Sequence, residues 1–513
     1  MRRQVALLLS FVVFSSFAKV ENILRFRDEN TVYEISRDYD LNGETITIPV
    51  GCTLKFNGGT ITNGCLKGNG TIIEASPQQI FSENTRFDGS WCFEAWLPEW
   101  FGSNGKSGQI DTRTIQCALD AARDTELKVV KLQGKTYYTD ASLNVYPYTS
   151  LIGSDQSASW LYATQIMPIK KVDAIQLTAT EKEEKSTGVT LKNLIIRNGS
   201  GENYTMSGVL MSKDGEKFGV LKLRMENVQV LYFENGIKAD LYGGSPFAYC
   251  DFRNVECNHN NIGFYVDGHF KGGKDDNNVW MNVNRFEFCC FSHNRIGGVY
   301  IHNVWMFLNN VFDQCTIEGN GNEYSMPLYN QFGTFGAKIS NWYTPTSGGN
   351  VFQNCYFEIN IPRRIGSEVN KGEYGFEEYI YPLGFTENKK TGNVILQQHN
   401  VNFTNCISLR NKCFVLLNDN SHINITGITI YDLGKVSTTD SKSYFIEFND
   451  AYVQSSVNSE KNRFNISKNN SLQYFHFIAT PKEDSKYSIL KEDDFDGGEV
   501  HLEDMSVKGL LTK

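Results

Sequence analysis

Proline is scarce in this chain, 11 in 513 residues, while glycine (44) and aromatics (34 Phe, 25 Tyr, 7 Trp) are plentiful and Asn is abundant. That balance argues against a disordered or a helical chain and suits an all-β protein with many turns. Positive charge is in deficit, with 49 Lys and Arg against 58 Asp and Glu. An acidic chain is a poor candidate for binding nucleic acid, so no nucleic-acid partner is expected. After the first 18 residues no stretch is apolar enough to cross a bilayer, so no membrane span is expected. There is no phosphate-binding Gly-rich loop, no H-E-x-x-H, no G-x-S-x-G and no dinucleotide fingerprint. A functional site must therefore be assembled from residues that the fold brings together.

The opening, MRRQVALLLSFVVFSSFA, has two arginines, an apolar run, and Ser16 and Ala18 at the −3 and −1 positions of a cleavage site. It reads as a secretory signal peptide over residues 1–18. No Cys lies near the cut, which argues against a lipid anchor. Export to a bacterial periplasm, the cell surface or the medium is expected. Loss of Arg2 and Arg3 takes the formal charge from −9 to −11. Twelve cysteines in an exported protein invite a disulfide framework. The sequence repeat argues otherwise for many of them, and leaves Cys52 and Cys65 as a candidate pair.

FDQCTIEGN (Phe312–Asn320), FQNCYFEIN (Phe352–Asn360) and FTNCISLRN (Phe403–Asn411) are nearly one sentence written three times. Segments at 191–198, 225–232, 252–260 and 286–294 share the shape. An apolar residue stands at Leu194, Val228, Val255, Cys289, Cys315, Cys355 and Cys406, usually after Asn or Gln. Another usually follows two residues on, which is strand alternation. Variable spacing around a constant pattern marks stacked coils with loops of unequal length. The cysteines then recur as small apolar side chains inside each coil. Asn260, Asn294, Asn320, Asn360 and Asn411 form one column. Asn tolerates the left-handed conformation of a sharp corner and can hydrogen-bond along a stack. A second strand follows each corner, opened by Gly: GVLMS (208–212), GIKAD (236–240), GFYVD (263–267), GVYIH (298–302) and GAKIS (336–340).

The fold class expected is therefore all-β, a right-handed parallel β-helix with an N-terminal capping helix and a small N-terminal β-unit. Residues 19–97 form the small unit, 98–440 the β-helix, and 441–513 a C-terminal cap and tail. The helix is DTRTIQCALDAARDT, with Ile115, Leu119 and Ala122 on one face and Asp111 as its N-cap. Monomer and homotrimer both remain open.

The run EWFGSNGKSGQIDTRTIQCALDAA, then VVKLQGKTYY, then YTSLIGSD, resembles the start of the pectate-lyase-like superfamily. The match is carried by Phe101, Gly102, Asp111, Thr112, Ile115, Ala118, Leu119, Gly134 and Tyr137. It departs at Thr114 and at the turn Ser107–Ile110. The resemblance implies a parallel β-helix of the kind found in polysaccharide lyases, glycoside hydrolases and phage tailspikes. It does not fix the reaction.

Neighbouring coils lie about 4.8 Å apart, so outward residues form readable columns. On the second strand one column is Lys238, Tyr265, Tyr300 and Lys338, and the next is Asp240, Asp267 and His302, with His269 just beyond. Single surface residues of these types commonly serve only solubility; four coils in succession make a candidate site. On the first strand Glu318 and Glu358 stack next to the corner, preceded in their column by Ser292 and Asn258, with His259, His293 and Arg410 one step further. Two stacked carboxylates need a cation or a shared proton, so they are the candidate calcium ligands or an acid/base pair. His269, Trp280, His293 and Arg410 are candidate substrate-binding groups. The loops 269–282 and 362–398 are candidate groove walls.

A polysaccharide substrate is expected. The leading reading is a lyase that breaks a uronic-acid chain by β-elimination, which needs a cation near the carboxylate, a base and an acid. Lys238 or Lys338 would serve as base or neutraliser, with Tyr265, Tyr300 or His302 moving protons. A glycoside hydrolase would need two carboxylates, Asp240 with Asp267 or Glu318 with Glu358. A non-catalytic glycan-binding β-helix is the third reading.

Overall fold

The computed structural model describes residues 25–321 apart from 105, 107, 155–162, 180–183, 203, 214 and 270–278. It then describes 334–340, 346–358, 360, 391–397 and 400–409, followed by a series of strands between 413 and 503. Every strand pairing among these residues is parallel, and the expected parallel β-helix is the fold. Coils run through three sheets of 20, 12 and 6 strands. One coil reads Arg224–Leu231 in the first sheet, Asn235–Tyr242 in the second and Pro246–Ala248 in the third. The next reads Asp251–Asn258, Ile262–His269 and Trp280–Asn282.

The interior explains the recurring letters. Phe252, Phe286, Phe312, Phe352 and Phe403 stack face to face along the axis, with successive ring centroids 4.6, 4.4, 4.5 and 5.5 Å apart. Offset stacking of this kind adds about 0.5–1.5 kcal/mol per pair beyond burial. The cysteines sit beside them as buried free thiols. Each Sγ donates to a carbonyl one coil back: Cys289 to Phe252, Cys315 to Phe286, Cys355 to Phe312 and Cys406 to Phe352, at 3.3–3.5 Å. Burial pushes the thiols of Cys289, Cys315 and Cys355 well above the usual range, so they stay protonated and inert. The disulfide expected between Cys52 and Cys65 is not formed; both are free. Cys52 points into the core, where its thiol donates to the Asp28 carbonyl at 3.3 Å.

The corner asparagines form a buried ladder. Nδ2 of Asn260 donates to Oδ1 of Asn294, Asn294 to Asn320, and Asn320 to Asn360, at 3.3, 3.0 and 2.7 Å. Each Oδ1 also accepts the backbone N–H of the Asn below it, and each Nδ2 also reaches a carbonyl of the preceding coil. The left-handed residue of the corner is not the Asn, as the sequence suggested, but the residue before it: His259, His293 and Gly319 have φ of 57°, 54° and 59°. That turn is what aims the Asn inward. Asn411 lies outside the described residues. The glycine that opens the second strand follows from the ladder. A Cβ on Gly236 would lie 2.5 Å from the Gly263 carbonyl oxygen and 3.0 Å from Asn260 Nδ2. A second ladder, Asn284, Asn310 and Asn350, closes the corner from the third sheet to the first.

At the N-terminal end, strands from Val32 to Trp91 pair in parallel too, and one continuous core runs from Ile35 to Cys406. The helix Thr112–Asp124 buries Ile115, Ala118, Leu119 and Ala122 against it. Asp111 occupies the N-cap position but does not cap with its side chain. It is fully buried, accepting from Ser103 Oγ at 2.7 Å and from the Tyr138 N–H at 3.3 Å. Past residue 440, where a cap and tail were expected, Tyr444–Asn449, Tyr474–Ala479 and Glu499–Glu503 continue the second sheet. No helix among the described residues is long and apolar enough to cross a membrane.

Replacing Asn294 by Ala leaves several buried groups unpaired, each worth about 1–3 kcal/mol. The expected loss is at least about 3 kcal/mol in a urea titration. A loss under about 1 kcal/mol would mean that the ladder does not hold the corner.

Candidate functional site

The second sheet fixes the register of the outward columns. Lys238 pairs with Tyr265, Tyr265 with Tyr300, and Tyr300 with Lys338. Asp240 pairs with Asp267, Asp267 with His302, and Tyr242 with His269. The structure thus brings together eight of the residues expected from sequence, these seven and His269.

The side chains join into one network. His302 Nδ1 lies 2.9 Å from Asp267 Oδ1. His269 Nε2 lies 2.5 Å from Asp240 Oδ1 and 3.7 Å from Asp267 Oδ2. Lys238 Nζ approaches Asp240 Oδ2 at 3.9 Å. The Tyr265 hydroxyl donates to the Asp267 carboxylate. Cation, carboxylate and imidazole therefore alternate from Lys238 through Asp240, His269 and Asp267 to His302. Burial alone would push the Asp267 carboxyl up, but the His302 bond and charge, Tyr265 and His269 together hold it below the usual range. Burial and then the Asp267 charge keep the Tyr265 phenol protonated.

The tyrosines stack, Tyr265 on Tyr300 with centroids 5.0 Å apart, and a lysine lies over each outer face: Lys238 over Tyr265 and Lys338 over Tyr300. Tyr300 is less open than its column suggested. It is 6 % exposed, packed with Ile262, Ile296 and Phe335 on the outside of the sheet. Burial pushes its phenol up to about 12. Ser340 Oγ lies 3.5 Å from that phenol oxygen.

Two participants were missed in the sequence, Ser340 and Tyr242. The Tyr242 ring lies flat on His269, centroids 4.1 Å apart at 8°. Their shared register is the signal that could have found the pair.

The other candidates lie apart. Trp280 sits in the third sheet between Pro246 and Met306. His293 belongs to a corner stack with His259 and Tyr232, capped by Arg197. Tyr232 and His259 stack at 16°, and His293 is tilted 35° to His259. Arg410 and most of the loop 362–398 lie outside the described residues, as does 270–278 of the loop 269–282.

Glu318 and Glu358 are register partners in the first sheet. Tyr356 donates to Glu358 Oε2 at 2.7 Å. Burial, then the Glu358 charge, raises the Glu318 carboxyl above its usual range. Among the described residues, Asp240, Asp267 and His269 bring three metal-type donors within 4.8 Å of one another.

No protein-family model matches the chain, and no curated protein matches it. Solved structures align with parts of it. A tailspike of an Acinetobacter phage aligns at a TM-score of 0.45 and 11% identity, over 79% of this chain and 62% of that one. The enzymatically active domain of a bacteriophage CBA120 tailspike aligns at 0.43 and 13%, over 72% and 47%. The A-module of a mannuronan C-5 epimerase of Azotobacter vinelandii aligns at 0.38 and 14%, over 73% and 94%. The chain thus spans less than two thirds of the two tailspike chains, and likeness at these identities concerns the fold alone.

The raised Glu318 carboxyl has a stability consequence. In the window just above its ordinary value of 4.5 the folded chain holds a proton that the unfolded chain has lost. That contribution is complete at lower pH and disappears as pH rises through the folded value. Glu318→Gln should therefore melt higher than the wild type at about pH 7, with the difference vanishing below about pH 4. Equal melting across the range would show that Glu318 is not under strain from its neighbour.

Proposed function

We propose that this protein is a polysaccharide lyase that cleaves a uronic-acid-containing glycan by β-elimination. The observation that carries the proposal is the outer face of the second sheet, where lysines, tyrosines and a carboxylate-bound histidine stand side by side. Removal of the proton at C5 is eased by a cation on the sugar carboxylate, and Lys338 and Lys238 are the cations at hand. With Nδ1 of His302 turned to Asp267, Nε2 is the basic nitrogen of the neutral ring, which suits a general base. Asp267, held ionised, fixes that tautomer and stabilises the imidazolium once it forms. Tyr300 keeps its proton at neutral pH and suits the acid that protonates the departing oxygen. Export from a bacterial cell would bring such an enzyme to its polymer.

Asp240 and Asp267 suit a hydrolase poorly. That reaction needs one carboxyl protonated and the other bare. Here Asp267 is held ionised, and both carboxylates spend an oxygen on a histidine. The second reading, a glycoside hydrolase using Glu318 and Glu358, is favoured by one observation. Their environments differ, Glu318 raised and Glu358 bonded by Tyr356.

The test is incubation with a panel of uronic-acid polysaccharides, followed by ultraviolet absorbance of the unsaturated product and by reducing ends. The lyase reading expects absorbance to rise and His302→Ala to lower kcat/KM by about 100- to 10,000-fold. Lys338→Ala should act mainly through KM. Reducing ends without absorbance, abolished by Glu318→Gln and untouched by His302→Ala, would overturn it in favour of hydrolysis.

A further inference from the structure

We infer that Asp240, Asp267 and His269 form a binding site for one divalent transition-metal ion, Zn²⁺ or Mn²⁺ in type, rather than for calcium. The donor atoms are already gathered. Asp240 Oδ1 and Asp267 Oδ2 lie 2.5 and 3.7 Å from His269 Nε2, and all three lie within 4.8 Å of one another. Metal bonds of about 2.0–2.2 Å require donor atoms roughly 3.0–3.5 Å apart, a change reached by small side-chain rotations.

The arrangement around the donors is the stronger argument. Each carboxylate turns one oxygen to the shared point and gives the other to an outer partner. Asp240 Oδ2 faces Lys238 and Asp267 Oδ1 is held by His302, while Tyr265 also donates to Asp267. The imidazole plane is fixed by the Tyr242 ring lying on it. Outer groups that orient each ligand in this way distinguish a built metal site from an accidental meeting of charges. The three donors come from adjacent strands in fixed register, so they cannot drift independently.

The donor chemistry chooses the metal. Calcium takes six to eight oxygens, whereas an imidazole nitrogen with two carboxylate oxygens is the set of Zn²⁺, Mn²⁺ and their neighbours. Three protein ligands leave a coordination position for an outside oxygen. In the reading proposed above, that oxygen is a water or an oxygen of a sugar unit next to the one whose carboxylate Lys338 neutralises. This role rests on that reading, but ion binding does not.

The experiment is metal uptake by the full-length protein. After chelation and dialysis, the protein is equilibrated with Zn²⁺, with Co²⁺ as a spectroscopic probe, and with Ca²⁺. Bound metal is then counted by elemental analysis and visible absorption. One equivalent of Zn²⁺, a Co²⁺ absorption spectrum, and at least about a tenfold loss of both in His269→Ala are expected. A melting curve of His269→Ala that matches the metal-free wild type controls for folding. Wild-type uptake no greater than that of His269→Ala, or a preference for Ca²⁺ over Zn²⁺, would overturn the site. Uptake without β-elimination would sink the lyase reading and leave the site standing. β-Elimination by a metal-free protein that takes up no Zn²⁺ would do the reverse.

Discussion

The buried asparagine ladder is the constraint on which the rest of the structure depends. At each corner the chain must turn sharply while its backbone N–H and C=O groups are shut off from water. Asn260, Asn294 and Asn320 answer this with one side chain per coil, which accepts from the coil below and donates to the coil above. The bond runs along the axis, so it locks one coil against the next as well as closing the turn. It also dictates neighbours. The left-handed residues His259, His293 and Gly319 aim the next side chain inward, and glycines such as Gly236 make room.

A locked corner is what makes the outer face usable. Because the second strand of every coil starts from the same fixed point, residues two and four positions after its opening glycine appear at the same place in each sheet row. Lys238, Tyr265, Tyr300 and Lys338 form a column for that reason, as do Asp240, Asp267 and His302. A one-residue slip would send every one of them into the core. The rigid interior of stacked phenylalanines and inert cysteine thiols thus serves the polar network outside it, holding side chains from separate coils within hydrogen-bond reach.

Much of this was legible in the sequence, and what was not has physical reasons. The columns could be read because strand pairing is in register, so equal offsets from the opening glycine mean equal positions. Links across columns could not be read that way. His269 shares a register row with Tyr242 yet reaches back to Asp240 and Asp267, a matter of side-chain length and rotamer. Tyr300 counts as outward by alternation but is covered by Ile262, Ile296 and Phe335, and burial of that sort leaves no periodic trace. The left-handed residue was placed one position late because Asn is the residue type that tolerates it best, whereas here Asn is needed for its amide. The second ladder did have a signal. Asn284, Asn310 and Asn350 each stand two residues before a stacking phenylalanine.

The central claim is that the outer face of the second sheet is where the substrate meets its chemistry. The most direct test is a crystal structure of the His302→Ala variant soaked with an acidic oligosaccharide. The account predicts the sugar across the Lys238–Lys338 column, with a uronate carboxylate beside Lys338 and its ring near Tyr300. An oligosaccharide lying along Glu318 and Glu358 on the first sheet, with the second sheet bare, would contradict it.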